Sequence, residues 1–73
     1  MHILPGVYEH YKGKTYRVHF VAHHSETLEQ LVVYEALYDV GDGLGQYFVR
    51  PLMEFVEDIY TQEGTIPRFK RLS

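Results

Sequence analysis

A chain of 73 residues is too short for two hydrophobic cores, and without cysteine it has neither a disulfide framework nor a thiolate metal site. The net charge of −3 argues against nucleic acid as the partner, because that role usually requires a basic surface. No apolar run approaches the roughly 18 residues of a membrane span, and residues 1–5 are too short for a signal peptide. We therefore expect one cytoplasmic domain over residues 1–73, with no membrane association.

The first predicted elements are two strands joined by a tight turn. The first strand covers residues 7–11, and Gly13 gives the turn a residue that tolerates positive φ. From Tyr16 onward, apolar side chains recur at every second position. This period of two predicts a long second strand over residues 15–23, in which alternate residues from Tyr16, including Phe20, share one face.

The next apolar segment, residues 31–38, can be interpreted in two ways. Thr27 begins a Thr-x-x-Gln pattern that resembles a helical capping box. Helical spacing, however, brings Glu35 into the apolar stripe and interrupts it. As a strand, the even-numbered residues from 32 to 38 form one unbroken apolar face, and two consecutive valines favour extended backbone. We therefore predict a strand.

The second half of the chain supplies the remaining elements. In order, these are a glycine-rich connection, a short strand, a single helical turn, a strand and an edge strand, at residues 39–45, 46–50, 52–54, 55–60 and 66–70. Pro51 ends the short strand because proline has no amide to donate to a ladder. Five or six short strands at this spacing predict an all-β class and a small, partly open β-barrel with one short helical turn.

Polar side chains from loops and strand ends are the candidate ligand-binding residues: His10, His23, His24, Ser25, Glu26, Thr27 and Arg50. Imidazole and carboxylate groups can bind zinc. His19 and His23, however, lie roughly 13 Å apart along one strand, too far for a single ion to bridge. No ligand spacing of a known metal site is matched, so we predict no metal and no cofactor.

Catalysis by the histidine-rich loop remains an alternative. His23 or His24 could act as a general base beside Ser25, and a hydrolase would use His24 with Glu26 orienting it. Adjacency in sequence does not establish that geometry, and no nucleophile-elbow sequence occurs. Loop serine and threonine more often hydrogen-bond their own backbone. We therefore assign no catalytic residue.

Arg50 ends a strand that also carries Tyr47 and Phe48. An arginine framed by aromatic rings can bind an anion or stack on a base. It can equally form a structural clamp with a carboxylate, for which Glu54 and Glu57 are candidates together with Glu26. Both interpretations stay open at the level of sequence.

Basic residues occur in two groups, one around the first turn and one near the chain end: Lys12, Lys14 and Arg17, and Arg68, Lys70 and Arg71. If the two groups met in space, they would form a local positive patch despite the acidic total charge. The alternative is an ordinary solvated surface.

Several short patterns occur together along the chain: Gly6-x-Tyr8-x-His10-Tyr11-Lys12-Gly13, Ala22-x-His24-Ser25-Glu26-Thr27-Leu28-Glu29, Val32-Val33-Tyr34-x-Ala36-Leu37-Tyr38, Val49-Arg50-Pro51-Leu52 and Pro67-Arg68-Phe69. Over nearly the entire chain they resemble the bacterial domain of unknown function 1653 family. The resemblance implies a small SH3-like β-barrel of bacterial origin and brings no established activity, substrate or cofactor. Phe48 stands where tryptophan is expected, and Met53-Glu54 departs from the family pattern, which leaves the buried side of that turn open.

The function that these observations favour is a non-catalytic, cytoplasmic binding module rather than an enzyme. Its partner would be a protein, a peptide or a small anion, and the sequence is silent on the oligomeric state. Two alternatives remain, a His/Glu-based hydrolase or metal-binding protein, and a barrel that binds nucleic acid weakly. The second alternative predicts affinity that falls steeply with salt.

Overall fold

The computed structural model of the protein describes residues 3–41 and 46–73, so most of the predicted glycine-rich connection lies outside the described residues. Its elements are β1 (Gly6–His10), β2 (Thr15–His23), β3 (Gln30–Ala36), β4 (Tyr47–Pro51), α1 (Leu52–Phe55), β5 (Asp58–Thr61), β6 (Gly64–Pro67) and β7 (Phe69–Arg71). An antiparallel sheet has the order β4-β3-β2-β1-β7, and β5 and β6 form a separate hairpin. The predicted all-β class with one short helical turn is confirmed, and the described strands form no closed barrel.

Seven strands are described, rather than five or six, because the predicted edge strand at residues 66–70 is divided at Arg68. β6 lies in the hairpin and β7 in the large sheet. The backbone of Arg68 joins the two sheets, since its amide donates to the carbonyl of Glu57 (3.0 Å) and its carbonyl accepts from the amide of Tyr11 (2.9 Å). This bend brings the end of the chain beside the first turn.

The strict alternation predicted for β2 is wrong beyond Val18. A bulge between Val18 and Phe20 shifts the pairing with β3. Because one extra residue reverses which side chains face the core, Phe20 is exposed and Val21 packs against the buried cluster. The predicted strand at β3 is confirmed, and Val32, Tyr34 and Ala36 are its buried residues.

Two glycines are required by the backbone around β1. Gly13 has φ +104° in the β1–β2 turn, where its amide donates to the carbonyl of His10 (2.7 Å). Gly6 has φ +146°, and a Cβ there would lie 3.0 Å from the backbone of Ser73. The second glycine therefore lets the chain end pack closely against the start of β1.

A cluster of buried side chains lies between the large sheet and α1: Tyr8, Val18, Val32, Tyr34, Leu52, Phe55 and Phe69. Leu52 and Phe55 are spaced i, i+3, so one side of the helical turn is buried, whereas Met53 is exposed. The side of the turn that carries Leu52 and Phe55 therefore faces the core. The structure also corrects the predicted strand at residues 55–60, because Phe55 belongs to α1 and β5 starts at Asp58.

No helix in residues 3–41 or 46–73 is long and apolar enough to cross a membrane.

Candidate functional site

Arg50 projects from β4 onto the face of the large sheet that carries the core. It lies opposite Val32 in the β3–β4 ladder, and residues directly opposite one another share a face. The Arg50 Nε donates a hydrogen bond to the Tyr34 hydroxyl (3.3 Å), and its Cζ lies 5.6 Å from the centre of the Phe69 ring. Within the described residues, the two Nη groups have no hydrogen-bond or ion-pair partner. The end of the guanidinium is therefore available to a ligand.

The ring of Phe69 is a rigid support for this arginine. Phe69 is buried and stacks on Phe55 with ring centres 4.0 Å apart and planes 4° from parallel. Tyr34 meets Phe69 edge-on at 5.6 Å, so the two groups that orient Arg50 also contact each other. The hydrogen bond to Tyr34 raises the pKa of Arg50 above its already high ordinary value. Arg50 thus carries a fixed positive charge in a fixed orientation.

His10 also contacts Phe69, with its ring nearly perpendicular to that of the phenylalanine. Its ring is 4.9 Å from Phe69 and 4.6 Å from Tyr11, and its Nδ1 accepts a hydrogen bond from the amide of Lys12 (3.2 Å). Burial lowers the pKa of His10 below its ordinary value of 6.5, and the charges of Arg50, Arg68 and Lys12 lower it further. The imidazole is therefore neutral at pH 7 and lies in a positive local potential.

The two basic groups of the sequence do approach each other at this point. Lys12 comes from the first group and Arg68 from the second, and the Tyr11–Arg68 backbone hydrogen bond joins their segments. Arg17, by contrast, lies opposite Glu35 on the other face of the sheet. The positive region around His10 is thus built from part of each group.

The structural clamp considered for Arg50 is made by Arg68 instead. Arg68 donates from Nη2 to Glu57 Oε1 (2.6 Å) and from Nε to the carbonyl of Glu54 (3.1 Å). Among the described residues, Arg50 has no ion pair with Glu54, Glu57 or Glu26. Sequence reasoning missed this role because Arg68 resembles part of a charged tail, and only its backbone bend shows its position between the sheets.

Aromatic side chains extend the core face beyond Arg50. The hydroxyls of Tyr16 and Tyr38 are 2.7 Å apart, and Lys14 Nζ lies 4.6 Å from the centre of the Tyr38 ring. Burial raises the pKa of Tyr16, and the hydrogen bond to Tyr38 adds to the increase. Phe48 packs against Tyr16 and Tyr34, with 39% of its surface exposed. It is an apolar contact surface on the same strand and face as Arg50.

The histidine-rich loop is held together by the imidazole of His24. The His24 Nδ1 accepts hydrogen bonds from the amides of Glu26 (3.1 Å) and Thr27 (3.3 Å). The Thr27 hydroxyl accepts from the amide of Glu29 (3.2 Å), so Thr27 stabilises a turn and not the helix start that its Thr-x-x-Gln pattern resembles. With Nδ1 occupied in this way, His24 acts as an internal acceptor for its own loop.

The predicted candidate residues separate into two places. His10 and Arg50 both contact Phe69. The residues of the polar loop, His23, His24, Ser25, Glu26 and Thr27, lie at or beyond the exposed end of β2. Arg50 pairs with Val32, which is two positions from the loop end of β3, and its side chain leans toward Tyr34, farther from the loop. No hydrogen bond among the described residues joins Arg50 to the loop.

Two clefts, of about 520 and 450 Å³, lie away from Arg50. They are lined by Glu57, Asp58, Ile59 and Tyr60, and by Glu9, Tyr11, Ile66, Pro67 and Lys70. Two carboxylates line the first, which disfavours an anion there. The second cleft combines three apolar or aromatic residues with Glu9 and Lys70, and its Tyr11 contacts His10. Arg50 lines neither of these two clefts, and we call the group formed by Arg50, Tyr34, Phe69 and Phe48 the Arg50 surface.

Metal ligands are not assembled anywhere in residues 3–41 and 46–73, since no three histidine, aspartate or glutamate side chains lie close enough to share an ion.

The fold and this surface define a small all-β protein with an arginine fixed between a tyrosine hydroxyl and a phenylalanine ring. The chain belongs to the family described as protein of unknown function (DUF1653), which matches residues 6–71. A crystal structure of a DUF1653 protein from Bordetella bronchiseptica is similar, with a TM-score of 0.87 and 40% identity over 96% of this chain and 87% of that one. No curated protein matches the chain. The predicted family resemblance is confirmed, and the family carries no assigned activity.

Proposed function

We propose that the protein is a non-catalytic binding module, a single cytoplasmic domain over residues 1–73 that holds an anionic group of its partner on Arg50. The observation that carries the proposal is the state of the guanidinium. Its Nε donates to Tyr34 and its Cζ lies over the ring of Phe69, while its Nη groups have no partner among the described residues. A guanidinium held in one orientation with unused N–H donors can bind a carboxylate or a phosphate through two hydrogen bonds.

The surroundings of Arg50 support an anion over other ligands. Lys12 adds positive charge near His10, whereas the charge of Arg68 is largely balanced by its ion pair with Glu57. The stacking of Phe69 on Phe55 fixes the platform before a ligand arrives, which lowers the ordering cost of binding. The partner would be a protein, a peptide or a small anion.

The geometry favours binding over the two alternative functions. A hydrolase based on His24 would need an unprotonated imidazole nitrogen facing Ser25, but Nδ1 already accepts two backbone amides, and in the neutral ring that leaves the proton on Nε2. A surface that binds the phosphate backbone of a nucleic acid would need its lysine and arginine side chains on one face of the protein. Arg17 and Arg50 point to opposite faces of the sheet, and Arg68 is held by Glu57. The loop around His24 therefore does not favour a hydrolase, and the placement of the arginines does not favour a nucleic-acid-binding surface.

Titration with small anions tests the proposal. Sodium acetate and sodium phosphate would be added to ¹⁵N-labelled protein at low ionic strength, and the amide shifts around β4 and β7 would be followed. Saturable binding in the wild type should be weakened at least tenfold in Arg50→Gln. The matched control is Arg17→Gln, which removes the same charge from the opposite face and should leave the affinity unchanged. Equal loss in both variants, or no saturation by either anion, would reject the proposal.

A further inference from the structure

We infer that the preferred ligand of the Arg50 surface is a carboxylate attached to a large apolar group, as in the C-terminal residue of a peptide. This inference rests on the proposed function and specifies its ligand. It uses two features of β4, the free end of the Arg50 guanidinium and the exposed ring of Phe48.

The charge around Arg50 suits one negative charge better than two. Arg68 is held by Glu57 at 2.6 Å, and Lys14 lies over the ring of Tyr38. Glu54 is close enough to raise the pKa of Arg50, and its negative charge opposes a dianion more than a monoanion. A single unpaired guanidinium fork then matches a planar carboxylate, which accepts two parallel N–H bonds. A phosphate dianion usually requires more cations or several backbone amides.

Phe48 supplies the apolar half of the site. It is two residues before Arg50 on the same strand, so the two side chains share a face and their Cα atoms are roughly 7 Å apart. Its ring packs against Tyr16 at 6.4 Å and Tyr34 at 5.9 Å, which holds it in place while 39% of it remains exposed. A ligand held at Arg50 by its carboxylate can therefore rest an apolar group on Phe48 if only a few bonds separate the two.

The neighbouring tyrosine hydroxyl gives the site its orientation. Since Tyr34 accepts the Nε hydrogen bond, the guanidinium cannot present its Nε–Nη edge and must offer its two Nη groups end-on. End-on recognition places the carboxylate at the two Nη groups, and Phe48 lies two residues from Arg50 on the same face of the strand. The same strand then carries both contacts, which links affinity to the length of the ligand.

The test compares four probes by NMR titration: N-acetyl-phenylalanine, its neutral amide, acetate and inorganic phosphate. We expect N-acetyl-phenylalanine to bind at least tenfold more tightly than each of the other three. Phe48→Ala should reduce that preference at least fivefold and leave acetate affinity unchanged. Arg50→Lys, which keeps the charge but not the fork, should weaken every carboxylate.

The outcomes separate this inference from the proposed function. If acetate and phosphate bind through Arg50 but the aromatic carboxylate gains nothing, or if phosphate binds most tightly, the inference is overturned and the proposed function stands. If none of the four probes responds to Arg50 variants, both are overturned. Should Phe48→Ala fail to fold, the wild-type ranking of the amide against the acid decides the question.

Discussion

His24 offers a sharp test of whether the polar loop is maintained for the fold. We expect His24→Ala to destabilise the protein, because the amides of Glu26 and Thr27 lose their common acceptor. Both hydrogen bonds are exposed, so water replaces much of what is lost. The closest analogy is removal of a helix N-cap, which costs about 1 kcal/mol. For a domain of this size, that corresponds to a fall in Tm of roughly 4–8 °C.

The same loop provides two controls for His24→Ala. In His24→Asn the amide oxygen can take the place of the imidazole Nδ1, as in an Asx turn, and should recover most of the stability. His23→Ala removes an exposed neighbour whose side chain makes no hydrogen bond among the described residues, and should change stability by less than about 0.5 kcal/mol.

Urea denaturation followed by circular dichroism measures the effect. With a slope of about 1 kcal/mol/M, the midpoint of His24→Ala should fall by about 1 M relative to the wild type. If His24→Ala matched His23→Ala, or if His24→Asn were no better than His24→Ala, the imidazole would not be the acceptor that holds the loop.

Three further predictions concern the core, the pH dependence and the loop backbone. Burial and nearby cations lower the pKa of His10, so the folded state binds fewer protons than the unfolded state. The stability that His10 contributes is therefore present above pH 6.5 and is lost as the pH falls through the pKa of the folded state. The urea midpoint of the wild type should drop more steeply from pH 7 to pH 5 than that of His10→Asn. Phe55→Ala should cost about 3–5 kcal/mol because Phe55 is fully buried and stacked, whereas Met53→Ala, exposed on the same turn, should cost under about 0.5 kcal/mol in the same urea assay. Leu28 has φ +64° and is exposed, so Leu28→Asn should raise the free energy of unfolding by up to about 1 kcal/mol. A lower urea midpoint for this variant would mean that Leu28 makes a contact that compensates the strain.

Local patterns in the sequence were sufficient for most of the strands. The apolar face from Val32 to Ala36 predicts β3, because apolar residues alternate along it and Glu35 would interrupt the apolar stripe of a helix. The bulge in β2 could not be predicted, since an extra residue changes the facing of Phe20 without changing the composition of the strand. Phe55 was assigned to a strand because alternation continues after it, although its spacing from Leu52 also fits a helical turn.

The candidate site was predictable only in part, because it depends on contacts between distant segments. His10 and Arg50 each have the chemistry of a ligand-binding residue, and both were candidates from the sequence. Their common contact with Phe69 requires β7 to pair with β1 and β4 to pair with β3. Local spacing contains no information on those pairings. The composition of the histidine-rich loop suggests ligand binding, but the side chains of His24 and Thr27 accept hydrogen bonds from backbone amides of the same loop.

The central claim is that the Arg50 guanidinium is oriented by Tyr34 and Phe69 and offers its Nη groups to an anion. The most direct measurement follows the side-chain Nε–H and Nη–H NMR resonances of Arg50 during an acetate titration. We expect the Arg50 resonances to shift saturably and rotation about its Cζ–Nη bonds to slow, with neither change at Arg17. Unchanged Arg50 resonances at saturating acetate, or equal changes at both arginines, would contradict it.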